Sequence, residues 1–300
     1  MTQRNSHTYY DREHRALLTE RVYADAFLSW SYNTWMGRTG TDLVFRRKWV
    51  SRLYGWLHKQ PWSRRKIISF IESVNVNLDE LARPLQAFTS FNDFFTREID
   101  LSRRPIRDEP DVCISPVDGR ALVYPAVGCD TTFRIKRGVF NLRRLLGDDE
   151  LAAQYAGGSV FISRLYLSDY HHVHFPDSGT PGEAVSISGK YYAVSPYSRG
   201  TLVPFYVENY RMRTSFDADH FGRMMMVEIG AFTVGSIEQC YRPGIHAEKG
   251  ARKGFFGLGG STVVLLFQPG AILFDEDLLT NTGKELETYV RLGDSIGRLP

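Results

Sequence analysis

Residues 254–269 read G-F-F-G-L-G-G-S-T-V-V-L-L-F-Q-P. After Ser261 comes a continuous apolar run of strand length, closed by a proline, and that predicts a buried β-strand. Before Ser261 stand four glycines in seven residues, which open backbone conformations closed to other residues. The spacing G-x-x-G-x-G-G lacks a Walker lysine and leads into a strand, so it does not read as a phosphate loop. Two outcomes stay open for such a junction. It can be a flexible hairpin turn, or a place where the chain cuts its own backbone. In the second case the Ser261 hydroxyl attacks the Gly260 carbonyl, and the acyl group moves from nitrogen to oxygen. The ester so formed breaks far more readily than an amide. β-Elimination then makes residue 261 dehydroalanine, which hydrolyses to a pyruvoyl group with loss of ammonia. Plain hydrolysis leaves a free N-terminal serine instead.

The same texture runs back from this strand to Val112. Short runs rich in Val, Ile, Tyr and Phe recur between glycines: A-L-V-Y, S-V-F-I-S-R-L, A-V-S-I-S, K-Y-Y-A-V, M-M-M-V-E-I and T-V-G-S-I. They predict a mainly antiparallel β-sandwich or barrel-like core, with one helical insertion over Asn141–Tyr155. Upstream, from about Asp11 to Ile99, the spacing predicts helices. Ala16, Leu17, Val22, Phe27, Leu28, Trp30, Tyr32 and Trp35 recur three to four apart, and Trp49, Leu53 and Trp56 share one side of a helix. Ser90 and Asp93 make a capping signature for the helix after them. Pro105 and Pro110 mark a linker. The expected class is α+β, with a helical region over 1–104 and a β-rich domain over 105–300.

Three hundred residues are enough for a sizeable core. The formal net charge is only +3, but Leu43–Ile71 holds eight basic residues and no acidic one, so the remainder is net acidic. Tryptophan, tyrosine and leucine interleaved with those cations suit an anionic membrane surface. A helix packing its tryptophans on the core is the alternative. No nucleic-acid-binding motif is present. Three widely spaced cysteines make neither a disulfide framework nor a C-x-x-C metal site, which points to a reducing compartment. The N-terminal residues lack the apolar stretch of a secretory signal, and no segment has the roughly 18–20 apolar residues needed to span a bilayer.

Two further segments carry titratable groups. S-D-Y-H-H-V-H-F-P holds His171, His172 and His174. On a regular strand His172 and His174 share a face and His171 opposes them, whereas a helical turn at Ser168–His171 lets His171 and His174 converge. The set suits acid–base chemistry, hydrogen bonding inside a β-fold, or half a metal site whose remaining ligands come from His220, His246 or Glu238. S-P-V-D-G-R at 115–120 is a turn in which Asp118 caps its own backbone or orients a histidine.

Taken in order, F-N-D-F-F-T-R-E-I with R-P-I, S-P-V-D-G, Y-H-H-V-H-F-P, G-K-Y-Y-A-V-S-P, I-G-A-F-T-V-G-S-I and G-F-F-G-L-G-G-S-T-V-V-L-L-F-Q-P resemble the phosphatidylserine decarboxylase family, in the form of its chlamydial branch. The likeness spans about Phe91–Pro269. It implies a processing triad of Asp118, His174 and Ser261, with scission between Gly260 and Ser261 into a β chain, 1–260, and an α chain, 261–300. It implies a covalent pyruvoyl cofactor made from Ser261, no metal, and His171 as proton carrier in the decarboxylation of phosphatidylserine to phosphatidylethanolamine and CO2. It also implies membrane-associating N-terminal helices on an anionic surface, a homodimer, and a peripheral place on the cytoplasmic side of the cell membrane. The chain departs from the common family pattern at His172, where arginine is usual, at Gly259, often leucine, and at Asn209-Tyr210-Arg211. From the bare residues two rivals remain: an autoproteolytic hydrolase with Ser261 as N-terminal nucleophile, and a non-enzymatic, membrane-docked β module.

Overall fold

A computed structural model describes residues 7–20, 48–129, 133–135, 138–189, 209–230, 236–259 and 261–300. Strands β1 (His7–Asp11) and β2 (Ala16–Glu20) open the chain; helices α1 (Lys48–Lys59), α2 (Ile67–Val74) and α3 (Phe91–Phe95) follow. Next come β3 (Val112–Ile114), β4 (Gly119–Val127), β5 (Phe133–Ile135) and β6 (Gly138–Phe140), then α4 (Leu142–Leu146) and α5 (Asp149–Gln154). The middle of the chain gives β7 (Gly158–Leu165), β8 (His172–His174), β9 (Gly179–Ile187), β10 (Arg211–Ala218) and β11 (Gly222–Gly230). It ends with β12 (Ile237–Gln239), β13 (Arg252–Phe256), β14 (Ser261–Phe267), β15 (Leu273–Phe274), α6 (Glu276–Gly283), β16 (Glu287–Val290) and β17 (Ser295–Arg298).

The apolar run after Ser261 is the middle of the molecule. Nine strands form one sheet in the order β2-β1-β16-β4-β7-β14-β11-β10-β9, antiparallel except for the β1–β16 pair. Every residue of β14 is buried, because both faces of the sheet are covered. Val263, Leu265 and Phe267 share a core with Val173, Phe256, Phe274 and Ile296 from the small sheets β12-β13-β8 and β15-β17-β3. Val264 and Leu266 share another with Leu142, Leu145 and Ala152 of α4 and α5. A central strand buried on both faces has no reason to alternate apolar and polar residues, so it reads as an unbroken apolar run. The α+β class and the mainly antiparallel core follow, with a sheet over one face and helices over the other.

The insertion predicted over Asn141–Tyr155 is two short helices divided at Gly147, which takes a left-handed conformation (φ 63°). Asn141 and Asp148 cap them through the backbone N–H groups of Arg144 and Leu151. Upstream, Ser90 caps α3 by accepting from the Asp93 N–H, as its spacing predicts. Phe91, Phe94 and Phe95 then bury against Ile67, Phe70, Val74 and Leu258.

One expectation is corrected. The stretch from Asp11 through Ala16 and Leu17 is not helical: β1 and β2 are an antiparallel hairpin at the end of the large sheet. The reason lies far away in sequence. Glu20 is buried and accepts from both terminal nitrogens of Arg164, which also donates to Glu287. The Arg120 guanidinium lies over the Tyr9 ring. Those partners outweigh a weak local helical spacing. The predicted helical positions Val22–Trp35, the K-Y-Y-A-V run and Gly260 lie outside the described residues.

Candidate active site

Ser261 is the first residue of β14, paired with Gly230 of β11 on one side and Leu165 of β7 on the other. It is fully buried. Gly259 precedes it by two residues with φ 136°, a conformation that suits glycine and strains any other residue.

The histidine that meets Ser261 is His171, whose Nδ1 lies 3.2 Å from the serine Oγ. Its Nε2 is 3.1 Å from the Tyr166 carbonyl oxygen. A carbonyl only accepts, so Nε2 carries the proton and Nδ1 presents its lone pair to the Ser261 hydroxyl. Phe95 packs on the ring at 4.3 Å between centroids. Burial, reinforced by the charge of Arg97, pulls His171 down to about 3, so the imidazole is neutral at ordinary pH. A neutral imidazole aimed at a hydroxyl can take its proton as the oxygen attacks.

His172 and His174 face the other way, as alternation on a strand requires. Tyr170 stands between them: its ring stacks on His172 at 4.6 Å, and its hydroxyl is 3.3 Å from His174 Nε2. His174 donates from Nδ1 to the Gly250 carbonyl at 2.8 Å, so Nε2 is the acceptor for the tyrosine hydroxyl. His172 donates to the Thr96 carbonyl, and burial draws it down to about 4. Burial also lowers His174, against which the charge of Asp118 acts weakly upward.

Asp118 is buried at the turn before β4, where it accepts from Arg104 through both oxygens (3.2 and 2.9 Å) and from the Leu292 N–H (2.7 Å). Among the described residues no hydrogen bond joins Asp118 to a histidine, or His174 to Ser261. Of the four positions singled out in the sequence, the fold therefore brings His171 and Ser261 into contact and holds Asp118 and His174 in neighbouring hydrogen-bonded frames. Sequence reasoning missed Phe95, Tyr166, Tyr170 and Arg104. Phe95, Arg104 and Tyr170 stand inside the quoted F-N-D-F-F, R-P-I and Y-H-H-V-H stretches, which gave them no role, while Tyr166 lies outside those motifs.

The metal candidates are dispersed. His220 bonds Asp177, His246 bonds Asp219, and Glu238 lies on β12 opposite Phe255. Among the described residues no three His, Cys, Asp or Glu side chains are grouped to hold a metal ion. The three cysteines are free.

A serine heading the central strand, a histidine on its hydroxyl and a glycine-rich approach agree with the ordered motifs. The family model for phosphatidylserine decarboxylase matches residues 91–298. The chain belongs to that family. It is 41% identical over 290 residues to the phosphatidylserine decarboxylase proenzyme of Chlamydia caviae, covering 97% of each chain. It is 40% identical to the proenzyme of Chlamydia felis over the same share of both chains. The Chlamydia pneumoniae proenzyme is also 40% identical, over 97% of this chain and 96% of its own. Membership disfavours both the autoproteolytic hydrolase and the non-enzymatic module.

Family membership also gives meaning to how residues 261–300 are held. Besides β14 in the sheet centre, this segment supplies β16 between β1 and β4, and β17 against β3. Glu287 joins Arg164 and Glu20 in a buried ion triad. These last forty residues are woven through the sheet by strand pairings of β14, β16 and β17.

Proposed function

We propose that this chain is a self-processing, pyruvoyl-dependent decarboxylase that converts phosphatidylserine to phosphatidylethanolamine and CO2. The observation that carries the proposal is the Ser261 hydroxyl, buried at the head of β14 and 3.2 Å from a neutral His171, in a chain of this family. Cutting would occur between Gly260 and Ser261, dividing the chain into β (1–260) and α (261–300). In that step the Ser261 oxygen bonds to the Gly260 carbonyl carbon and the peptide C–N bond breaks. Asp118 and His174 are the processing partners that the family likeness implies, with His171 acting in turnover. The hydrogen bond at Ser261 favours a second assignment of roles, in which His171 itself takes the hydroxyl proton and Asp118 and His174 hold the frame.

The residues fit a ketone made from residue 261. That position is excluded from water, in contact with His171, whose ring packs on Phe95, and fixed by backbone pairing on both sides. Such a group supplies an electron sink for the pair left when CO2 departs. Once its Nδ1 has taken up a proton, as from the ammonium group of the incoming substrate, His171 is placed to return it beside residue 261, and the Tyr166 carbonyl keeps its ring oriented for that transfer.

The membrane proposal rests on α1, the 3₁₀ turn Pro61–Lys66 and α2. Leu53, Trp56, Trp62 and Ile68 are exposed, Trp56 by 57%, beside Lys59, Arg64, Arg65 and Lys66. Arg65 and Lys66 lie over the Trp62 ring. Exposed large apolar side chains among cations suit an anionic lipid surface. Among the described residues no helix is long and apolar enough to cross a membrane. Residues 1–104 would thus form the membrane-associating region of a peripheral homodimer on the cytoplasmic side of the cell membrane.

The decisive test is intact mass of the purified protein. Scission gives pieces of roughly 30 and roughly 5 kDa from the 34.3 kDa chain, and borohydride with a labelled amine tags the smaller one. Release of CO2 from phosphatidylserine vesicles tests the reaction. An active protein that stays in one piece with an ordinary serine at 261 overturns the proposal. His171→Ala and His174→Ala separate the two assignments: the variant that stays uncut lacks the processing base.

A further inference from the structure

A cavity of about 310 Å³ opens beside the site, lined among others by Arg97, Arg104, Arg291, Glu80, Asp118 and Tyr170. Its charges are unevenly satisfied. Arg104 is paired with Glu80 and Asp118. Arg291 is paired with Glu13 and Glu80. Arg97 is different. It is only 4% exposed, yet among the described residues it has no carboxylate partner. Its Nη2 donates to the carbonyls of Ser168 and Asp169, while Nη1 is buried with no hydrogen-bond partner.

We propose that Arg97 is a substrate-binding residue whose free Nη1 takes an anionic oxygen of the lipid headgroup, from its carboxylate or its phosphodiester, in this cavity. A buried N–H left without an acceptor is costly, and a charged acceptor repays that cost more fully than a neutral one. Among the described residues that line the cavity, Arg104 and Arg291 are already paired with carboxylates, so Arg97 is the arginine left to an arriving anion. Burial lowers the Arg97 guanidinium to about 10. Arg104, also buried, is instead raised by the charge of Asp118. Nearby Asp169, Asp118 and Glu80 thus offset less of the burial of Arg97 than Asp118 offsets for Arg104.

Position adds a reason. Ser168, Asp169 and Tyr170, the cavity wall that Arg97 grips, run directly into His171. Phe95, two residues before Arg97, packs on the His171 ring. One short segment therefore touches both the reacting histidine and the cavity, and an anion held by Arg97 lies next to the turn that leads into His171. The size suits a small polar headgroup. The inference rests on the decarboxylase proposal for the identity of its ligand.

The test is calorimetric titration of the full-length chain carrying Ser261→Ala, so that no ligand is turned over. Glycerophosphoserine carries both anions, glycerophosphoethanolamine only the phosphodiester, and L-serine only the carboxylate. Adding Arg97→Gln should weaken glycerophosphoserine roughly ten- to a hundredfold, the worth of one charge-assisted hydrogen bond. The partial ligand that loses the same factor identifies the anion. Asn77→Asp keeps the acceptor for the Asp79 N–H while adding negative charge at the cavity rim, and should weaken binding roughly two- to fivefold. This second variant decides the matter if Arg97→Gln does not fold. Absence of binding, or affinities unchanged by the substitutions, overturns the anion site. CO2 release and amine capture by the unsubstituted protein are measured separately, so the decarboxylase proposal can stand where this one fails, or fail where it stands.

Discussion

Two regions of the molecule invert the ordinary rules of burial in opposite directions. Around Ser261 the polar groups are inside: Ser261, His171, His174 and Asp118 are all at most 2% exposed. On α1, the 3₁₀ turn and α2 the apolar groups are outside, with Leu53, Trp56, Trp62 and Ile68 each about half exposed. Neither arrangement is needed to hold a β-core together, and the core clusters contain none of these residues. What the difference teaches is where function sits. Under the proposed function, the buried and hydrogen-bonded polar set would keep the reaction from water, and the exposed apolar set beside cations would meet the lipid surface.

The comparison breaks most sharply at Ser261. Ser261→Ala should leave an uncut chain with no decarboxylase activity, read by intact mass and CO2 release, while the α1–α2 surface still takes the chain to anionic vesicles. Loss of vesicle binding together with processing would join the two regions and refute their separation.

A smaller but still large effect is expected at the ion triad. Glu20→Ala leaves Arg164 with Glu287 alone in a buried setting. Withdrawing one of the two carboxylates from a buried guanidinium should cost about 1–3 kcal/mol, measurable by urea unfolding. A loss under 1 kcal/mol would mean that the β1–β2 hairpin contributes nothing to the sheet that holds residues 261–300.

The histidines sharpen the interior side. His171 and His172 are neutral when folded, at about 3 and about 4, against 6.5 when unfolded. The unfolded chain therefore binds more protons between those values, and the stability present above pH 6.5 is lost as pH falls through the window toward 4. Each ring should cost on the order of 1–2 kcal/mol at pH 5. His172→Phe, which keeps the stack between Tyr170 and Phe255, should flatten the fall of Tm between pH 6.5 and 5. An unchanged slope would show that His172 is not held neutral.

The exterior predicts the smallest change in stability. Trp56→Ala should move unfolding by under about 0.5 kcal/mol yet reduce co-sedimentation with phosphatidylglycerol vesicles. Lys59→Gln with Arg65→Gln should weaken it by about 1 kcal/mol per charge at low salt. If Trp56→Ala destabilises the fold and leaves vesicle binding intact, the exposed tryptophan is a packing residue after all.

Much of this was legible in the residues because it is local. An unbroken apolar run announces a strand buried on both faces, a serine three residues before an aspartate announces a helix start, and Gly259 beside Gly260 and Ser261 announces a backbone free to take conformations others cannot. These need only neighbours in the chain. What the tertiary structure alone decided is set by partners far apart: His171 rather than His174 on Ser261, ninety residues away; Glu20 drawn to Arg164 across 144 residues, which turns an expected helix into a hairpin; and Arg97 with no carboxylate in ion-pair contact among the described residues, while Arg104 and Arg291 are paired. A hydrogen bond or an ion pair has no period that a sequence can display. Only the packing around the head of β14 settles which donor meets which acceptor, and under the proposed function that choice is where the chemistry would lie.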